Sequence, residues 1–152
     1  MKLIKDKSGN MIILMLFILM FLFSFSAIIG EIFRVNSIQG HIEYELQRAV
    51  NIALEDAMHD TWRQDAYNKL DTDLAQTKFR AYLYNELNLT SGLEKWKDGA
   101  KVYTLIFEDI NASYDPPKIT VKGKAVVKSA FKFLTDEIEI PFEVSSRNGR
   151  VD

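Results

Sequence analysis

The chain has 152 residues and a formal net charge of −2, which is enough length for one small folded domain and too little positive charge for a nucleic-acid partner. It contains no cysteine, so disulfides, thiol catalysis and cysteine-ligated metal centres are excluded. No pattern in the chain indicates a cofactor.

An apolar run without any ionisable group occupies residues 11–30. About 20 apolar helical residues span the hydrocarbon of a bilayer, and basic residues stay on the cytoplasmic side. Since Lys2, Lys5 and Lys7 precede the run, residues 1–10 are predicted to be a cytoplasmic leader and residues 11–30 a transmembrane helix. We therefore expect a single-pass cell-membrane protein in contact with lipid, with residues 31–152 as its extracytoplasmic domain.

A cleaved signal peptide is the alternative for the same run. Ser24 and Ser26 are small residues at the two positions that a signal peptidase recognises, with cleavage before Ala27. Residues 11–23 would then be the apolar core of a removable signal. Both interpretations stay open at the level of the sequence.

The helix is predicted to continue from Met11 to about His59, with residues 31–60 as a helical stalk. Apolar residues recur there at spacings of mostly three and four, which places them on one face of an α-helix. This stripe needs a covering surface, and it supplies the candidate packing residues Ile32, Val35, Ile42, Leu46, Ala49 and Ala53.

A second helix is predicted within residues 70–88, from Thr72 to Leu87. Asp71, Thr72 and Asp73 provide side chains that cap a helix N-terminus. Residues 94–99 are interpreted as a polar connector.

The last third of the chain, residues 101–145, is predicted to form an antiparallel sheet, because apolar and polar residues alternate there. The strands are expected at residues 101–110, 119–133 and 138–144. Pro141 predicts that the last strand lies at an edge of the sheet. A hairpin turning at Thr135 and Asp136 gives one register, which pairs Phe133 with Ile138, Phe131 with Ile140, Val127 with Val144, Lys132 with Glu139 and Lys128 with Glu143.

The predicted fold class is α+β. An N-terminal transmembrane helix continues into a long amphipathic helix, which packs on a small antiparallel sheet of about three strands. Covering the apolar face of the sheet with the apolar stripe of the helix buries both.

The order of these elements resembles the type IV pilin superfamily, and most closely the TadE-like minor pilins of Tad-type systems. The resemblance rests on the basic leader that ends in Ser8, Gly9 and Asn10, on the apolar helix with its amphipathic extension, and on the C-terminal strands. It implies cleavage by a prepilin peptidase between Gly9 and Asn10. The family usually has a glutamate five residues into the mature chain, where this chain has Leu14.

The resemblance implies a structural or assembly subunit of an envelope pilus or secretion filament system, whose partners are other pilin-like or membrane-assembly subunits. The alternative is a signal-anchored extracytoplasmic binding domain that never enters a filament. An enzyme is the third hypothesis, and no recognisable catalytic motif in the sequence supports it.

One segment has the alternating oxygen side chains of a calcium-binding loop, at Asp109, Asn111, Ser113 and Asp115. Tyr114 occupies the sixth position, where such loops have glycine, so a turn between two strands is the competing interpretation. Carboxylates also lie four residues from a histidine on the long helix, at Glu45 with His41 and at Glu55 with His59. For these pairs a solvated helix surface is the competing interpretation.

Overall fold

The computed structural model describes residues 7–58, 70–132 and 135–147, with side chains described from residue 11 onward. Within these described residues, two helices precede four strands. They are α1 (Lys7–Asp56), α2 (Thr72–Asn85), β1 (Glu94–Lys97), β2 (Ala100–Ser113), β3 (Lys118–Lys128) and β4 (Glu137–Arg147). This architecture confirms the predicted α+β class.

The chain divides into two compact units, Met1–Ser37 and Ile38–Asp152. In the first unit, the described residues belong to α1. The second unit holds the last part of α1, together with α2 and the sheet. The described part of α1 ends at Asp56, and His59, the predicted end, lies outside the described residues.

The core of the second unit lies between its helices and the inner face of the sheet. From α1 it takes Ile42, Leu46, Ala49 and Ala53, each at most 2% exposed. The spacing of three and four residues puts these side chains on one helix face, as the sequence indicates. A hydrogen bond also joins α1 to β4, from Gln47 Nε2 to the Ser145 carbonyl oxygen at 3.0 Å.

The start of α2 is fixed by a side-chain cap. Asp71 has an extended backbone, and its carboxylate accepts the N–H of Leu74 at 3.0 Å. This bond satisfies one of the donors that the first turn of a helix leaves free. The helix begins at Thr72 as predicted and ends at Asn85, two residues before the predicted end at Leu87.

The sheet has four antiparallel strands in the order β1-β2-β3-β4, one more than predicted. The extra strand is β1, so the interpretation of residues 94–99 as a polar connector is wrong. Asp98 and Gly99 form a tight turn between β1 and β2, with φ values of 52° and 76°. An Asp-Gly pair is a strong hairpin signal because both of its residues tolerate positive φ.

The predicted register of the last hairpin is wrong by six residues. Val127 lies opposite Ile138 rather than Val144, and Lys122 rather than Lys128 lies opposite Glu143. Because the shift is an even number, the apolar residues remain on the inner face. β4 is an edge strand, as Pro141 predicts.

The connection between β3 and β4 explains the shift. β3 ends at Lys128, and the Ser129 N–H donates to the Asp136 carbonyl at 3.0 Å, which closes a wider loop than a turn at Thr135 and Asp136. Phe131 and Lys132 belong to this loop, so they pair with neither Ile140 nor Glu139. Phe133 lies outside the described residues. The observed register also sets the large ring of Phe142 opposite Gly123, where there is room for it.

Candidate functional site on the apolar helix

The first unit presents an apolar surface that no described part of the chain covers. Every residue from 11 to 30 is exposed, and the rings of Phe17 and Phe23 are about 70% exposed (70% and 69%). Contiguous apolar patches on soluble proteins rarely exceed a few hundred Å². By length and composition, this part of α1 is able to cross a membrane.

One polar side chain within the apolar run, that of Ser24, finds its hydrogen-bond partner in the helix itself. The Ser24 hydroxyl donates to the Met20 carbonyl oxygen at 2.9 Å, one turn earlier. The rings of Phe21 and Phe25 stack with centroids 6.2 Å apart. A helix of this kind meets the main requirement of a hydrocarbon environment, which is that backbone and side-chain polar groups find partners internally.

An ion pair marks the end of the run. Arg34 donates to both carboxylate oxygens of Glu31, at 2.8 and 2.7 Å, one helical turn apart. Bidentate pairing of this kind combines charge attraction with fixed geometry. The first charged side chains after the apolar run therefore lie just beyond the length of helix that spans a bilayer core.

The residues implied in processing lie at the beginning of α1. Gly9 and Asn10 fall within the helix, but their side chains lie outside the described ones. Leu14 is 60% exposed and belongs to the apolar surface. At this position the chain presents a hydrocarbon side chain instead of a carboxylate.

The predicted packing stripe divides into two parts. Ile42, Leu46, Ala49 and Ala53 lie in the core of the second unit. Ile32 is 54% exposed and Val35 is half-buried. The described residues therefore cover the early part of the stripe less than the later part.

The candidate calcium ligands do not form a loop. Asp109, Asn111 and Ser113 lie in the extended strand β2, and Asp115 lies in the turn that follows it. Alternate side chains of a strand are about 7 Å apart, so these oxygens lie in a row instead of converging. Among the described residues, no three histidine or acidic side chains gather in a way that could hold a metal ion.

The histidine pairs of the long helix are only partly described. His41 is exposed on α1, with Glu45 half-buried one turn later. Glu55 is exposed near the end of α1, while its predicted partner His59 lies outside the described residues.

Three phenylalanines form a cluster that sequence reasoning missed. The Phe107 ring lies edge-on to Phe79 of α2 and to Phe142 of β4, with centroids 5.7 and 5.8 Å apart. Both Phe107 and Phe142 lie opposite Gly123 on β3. The available signal was a glycine at an inward-facing strand position, which often marks close approach by a neighbouring group.

Burial and side-chain hydrogen bonds shift the pKa values of several groups in the second unit, Tyr103 and Glu94 among them. Burial raises the pKa of Tyr103 to about 12, with a further contribution from the negative charge of Glu45. Hydrogen bonds from the Trp96 indole and then from the Lys101 ammonium lower the pKa of Glu94. Tyr103 lies on the inner face of the sheet and Glu94 is half-buried on β1, so neither shift creates an acid or base in an enclosed site.

The outer face of the sheet carries cross-strand ion pairs. Lys122 lies 2.9 Å from Glu143, and Lys124 lies 2.8 Å from Glu139. All four side chains are substantially exposed, so each pair contributes little to stability and the lysines are neutralised locally.

No protein-family model, curated protein or solved structure matches this chain.

Proposed function

We propose that the protein is a membrane-anchored, pilin-like structural or assembly subunit of an envelope pilus or secretion filament system. The observation that supports this most is the combination of a bare apolar helix with a folded α+β domain in one chain. The apolar part of α1 would pack against lipid and against the helices of neighbouring subunits. The domain would stand outside the cell membrane, with the basic leader inside.

The orientation follows from charge. Lys2, Lys5 and Lys7 precede the apolar run, and basic residues are retained on the cytoplasmic side during insertion. The Glu31–Arg34 pair that follows the run has no net charge and does not oppose this orientation.

In this proposal the working surface is the helix, and there is no chemistry to assign. Exposed Phe17, Phe23 and Leu14 provide the lateral contact area. Packing between helices in a membrane depends on close van der Waals contact, because lipid is as apolar as the side chains themselves. Other pilin-like or membrane-assembly subunits are therefore the proposed partners.

A second candidate function is a signal-anchored binding domain that never enters a filament. Leu14 favours it, because the pilin family that the chain resembles usually has a glutamate there. In this case α1 would contact lipid alone.

The N-terminal residue of the protein in its native membrane fraction tests the pilin proposal. Intact mass spectrometry should find a chain that begins at Asn10, because a prepilin peptidase would cut after Gly9. The variant Gly9→Leu should then keep the full leader, while the matched variant Gly30→Ala should be processed like the wild type.

Two other start positions would contradict the pilin proposal. A chain that begins at Met1 would be an unprocessed anchor and would support the binding domain. A chain that begins at Ala27 would be a released domain without its membrane helix.

A further inference from the structure

Contacts just after α1 fix the direction of this helix in the second unit. The Asp71 N–H donates to the Ala57 carbonyl at 3.2 Å, and the neighbouring Leu70 N–H donates to the Tyr114 carbonyl at 3.3 Å. Tyr114 directly follows the last residue of β2. The end of α1 therefore lies at the end of the sheet where β2 also ends.

Earlier residues of α1 lie closer to the start of β4. Gln47 donates to the Ser145 carbonyl at 3.0 Å, and Glu43, one turn earlier, lines a cavity together with Phe142. Going back along α1 therefore also goes back along β4. Ile38, where the chain enters the second unit, lies on the side of the unit where β4 starts.

Two hairpins of the sheet are closed at this same end of the second unit. The turn of residues 98–99 joins β1 to β2, and the loop that begins at Ser129 joins β3 to β4. Through Val126 of β3, the register sets Thr104, near the start of β2, level with Glu139, near the start of β4. We call this end the hairpin rim. It comprises the described residues 96–101, 128–132 and 135–137.

The hairpin rim extends beyond the point where the chain enters the second unit. From Glu43 back to Ile38 is about 8 Å along a helix, and from Phe142 back to Glu137 is about 17 Å along a strand. Glu43 and Phe142 line the same cavity, so the rim lies about 9 Å farther out than Ile38.

The apolar run ends a short distance before this entry point. Gly30, its last residue, precedes Ile38 by eight residues. These residues belong to α1, and a helical segment of that length spans about 12 Å. A bilayer spanned by residues 11–30 would leave no room for a folded protein between its surface and the rim, which favours lipid head groups as the occupant.

The side chains of the hairpin rim suit the boundary between water and lipid. Trp96 is 49% exposed, and its indole N–H donates to the Glu94 carboxylate at 3.1 Å. Tryptophan is enriched at membrane surfaces because its ring is apolar and its N–H is polar. Lys97 and Lys132 are exposed, and lysine side chains lay their apolar stems along lipid while the ammonium stays in water.

We propose that the hairpin rim rests on the head-group layer of the bilayer, with the ring of Trp96 within that layer. This inference rests on the membrane anchorage in the proposed function. The rim carries four lysines and three carboxylates, so its net charge is +1 and the contact does not require anionic lipid. Tyr114, at the opposite end of the sheet, would face away from lipid.

The experiment measures tryptophan fluorescence of the full chain in phosphatidylcholine vesicles that contain a lipid with a nitroxide on its head group. The chain has two tryptophans, of which Trp62 lies outside the described residues. Trp62→Phe therefore leaves Trp96 as the reporter at the rim. The matched control combines Trp62→Phe and Trp96→Phe with Tyr114→Trp, which moves the reporter to the far end of the sheet, at a position 50% exposed.

We expect the nitroxide lipid to remove most of the fluorescence of Trp96 and to leave that of the control unchanged. The nitroxide is present in both leaflets, so the direction of insertion does not affect the comparison. Circular dichroism should show both chains folded. Lys118→Trp, exposed at the same end, replaces Tyr114→Trp if that substitution prevents folding.

Flotation of the vesicles separates failure of this inference from failure of the proposed function. A chain that floats with the vesicles but shows equal quenching at both positions, or none at Trp96, would overturn the contact of the rim and leave the membrane anchor intact. A chain that does not float with the vesicles would overturn the anchor and, with it, this inference.

Discussion

Gly123 lies in the middle of β3 where any side chain would meet the neighbouring strand. A Cβ atom built there would approach the Ile106 carbonyl oxygen to 2.2 Å and the Phe142 ring to 2.9 Å. The first of these contacts is with backbone, which cannot move without disturbing the pairing of β2 with β3. The glycine therefore makes room for the ring cluster of Phe79, Phe107 and Phe142.

We predict that Gly123→Ala lowers the free energy of unfolding by about 3 kcal/mol, as expected for strain from overpacking in a core. Urea unfolding of the second unit, followed by near-ultraviolet circular dichroism, measures this change. The matched variant is Gly40→Ala in α1, where a Cβ meets nothing within 4 Å. It should stabilise by about 0.5–1 kcal/mol through helix propensity. Equal effects of the two variants would contradict the strain described for Gly123.

Tyr103 predicts how stability depends on alkaline pH. Burial raises its pKa from 10.0 to about 12, so the folded state holds the phenolic proton at pH values where the unfolded state has lost it. By linkage, this contribution to stability is fully present below pH 10 and is lost as the pH rises through about 12.

The variant Tyr103→Phe should therefore show a shallower loss of stability over that range than the wild type. Urea midpoints measured across the range test this prediction. Tyr84→Phe, at a position 42% exposed, is the control and should follow the wild type. A Tyr103→Phe curve that stays parallel to the wild type would refute it.

At the scale of elements, the buried stripe of α1 joins the helix to the rest of the second unit. Ala53 is fully buried on this stripe, while Asn51 is exposed on the same helix. A charge placed at Ala53 would lose its water without gaining a partner. Such a substitution lowers the free energy of unfolding by more than the loss of one apolar contact would, because the buried charge is itself destabilising.

We predict that Ala53→Asp destabilises the second unit by about 3–5 kcal/mol, the usual cost of an uncompensated buried charge. Asn51→Asp, which adds the same charge in solvent, should change stability by about 0.5 kcal/mol or less. Thermal unfolding of both variants gives the comparison. An unchanged melting temperature for Ala53→Asp would disprove the packing of α1 in the core.

Local patterns predict these elements well, while pairing between them depends on distant residues. The stripe of α1, the cap at Asp71 and the inward faces of β3 and β4 all follow from spacing along the chain. The register of β3 with β4 depends on the fit of Phe142 over Gly123 and on the loop around Ser129, which charge matching alone does not reveal. β1 was missed because three of its four residues are charged, although Asp98 and Gly99 carried a turn signal.

The candidate functional site also has a part that the sequence predicts and a part that depends on contacts between distant residues. Residues 11–30 form a helix long and apolar enough to cross a membrane, which composition alone predicts. A groove lined by residues 105–110 of β2 and by Gln76 and Arg80 of α2 could not be predicted, because it depends on how α2 packs beside β2. The calcium pattern from Asp109 to Asp115 depends on a loop, and the chain forms a strand there instead.

At the scale of the whole molecule, the chain combines a helix suited to hydrocarbon with a domain that buries its own core. Such a helix either contacts lipid alone or packs laterally against other helices. Lateral packing is expected of the proposed pilin-like subunit, and contact with lipid alone is expected of a simple anchor. The chain has no cysteine, so a single introduced cysteine reports only its own neighbours.

The most direct measurement is disulfide cross-linking in native membranes, with one cysteine at a time replacing Phe17, Ile18, Leu19 or Met20 along one helical turn. We predict cross-linked pairs of subunits at the positions on one face of α1 and none on the opposite face, because helices pack through a defined side. Lys118→Cys, on the exposed outer face of the sheet, is the control for random collision. Only monomer at all four helix positions, under conditions where the same cysteines react with a membrane-permeant thiol reagent, would contradict a subunit that assembles through this helix.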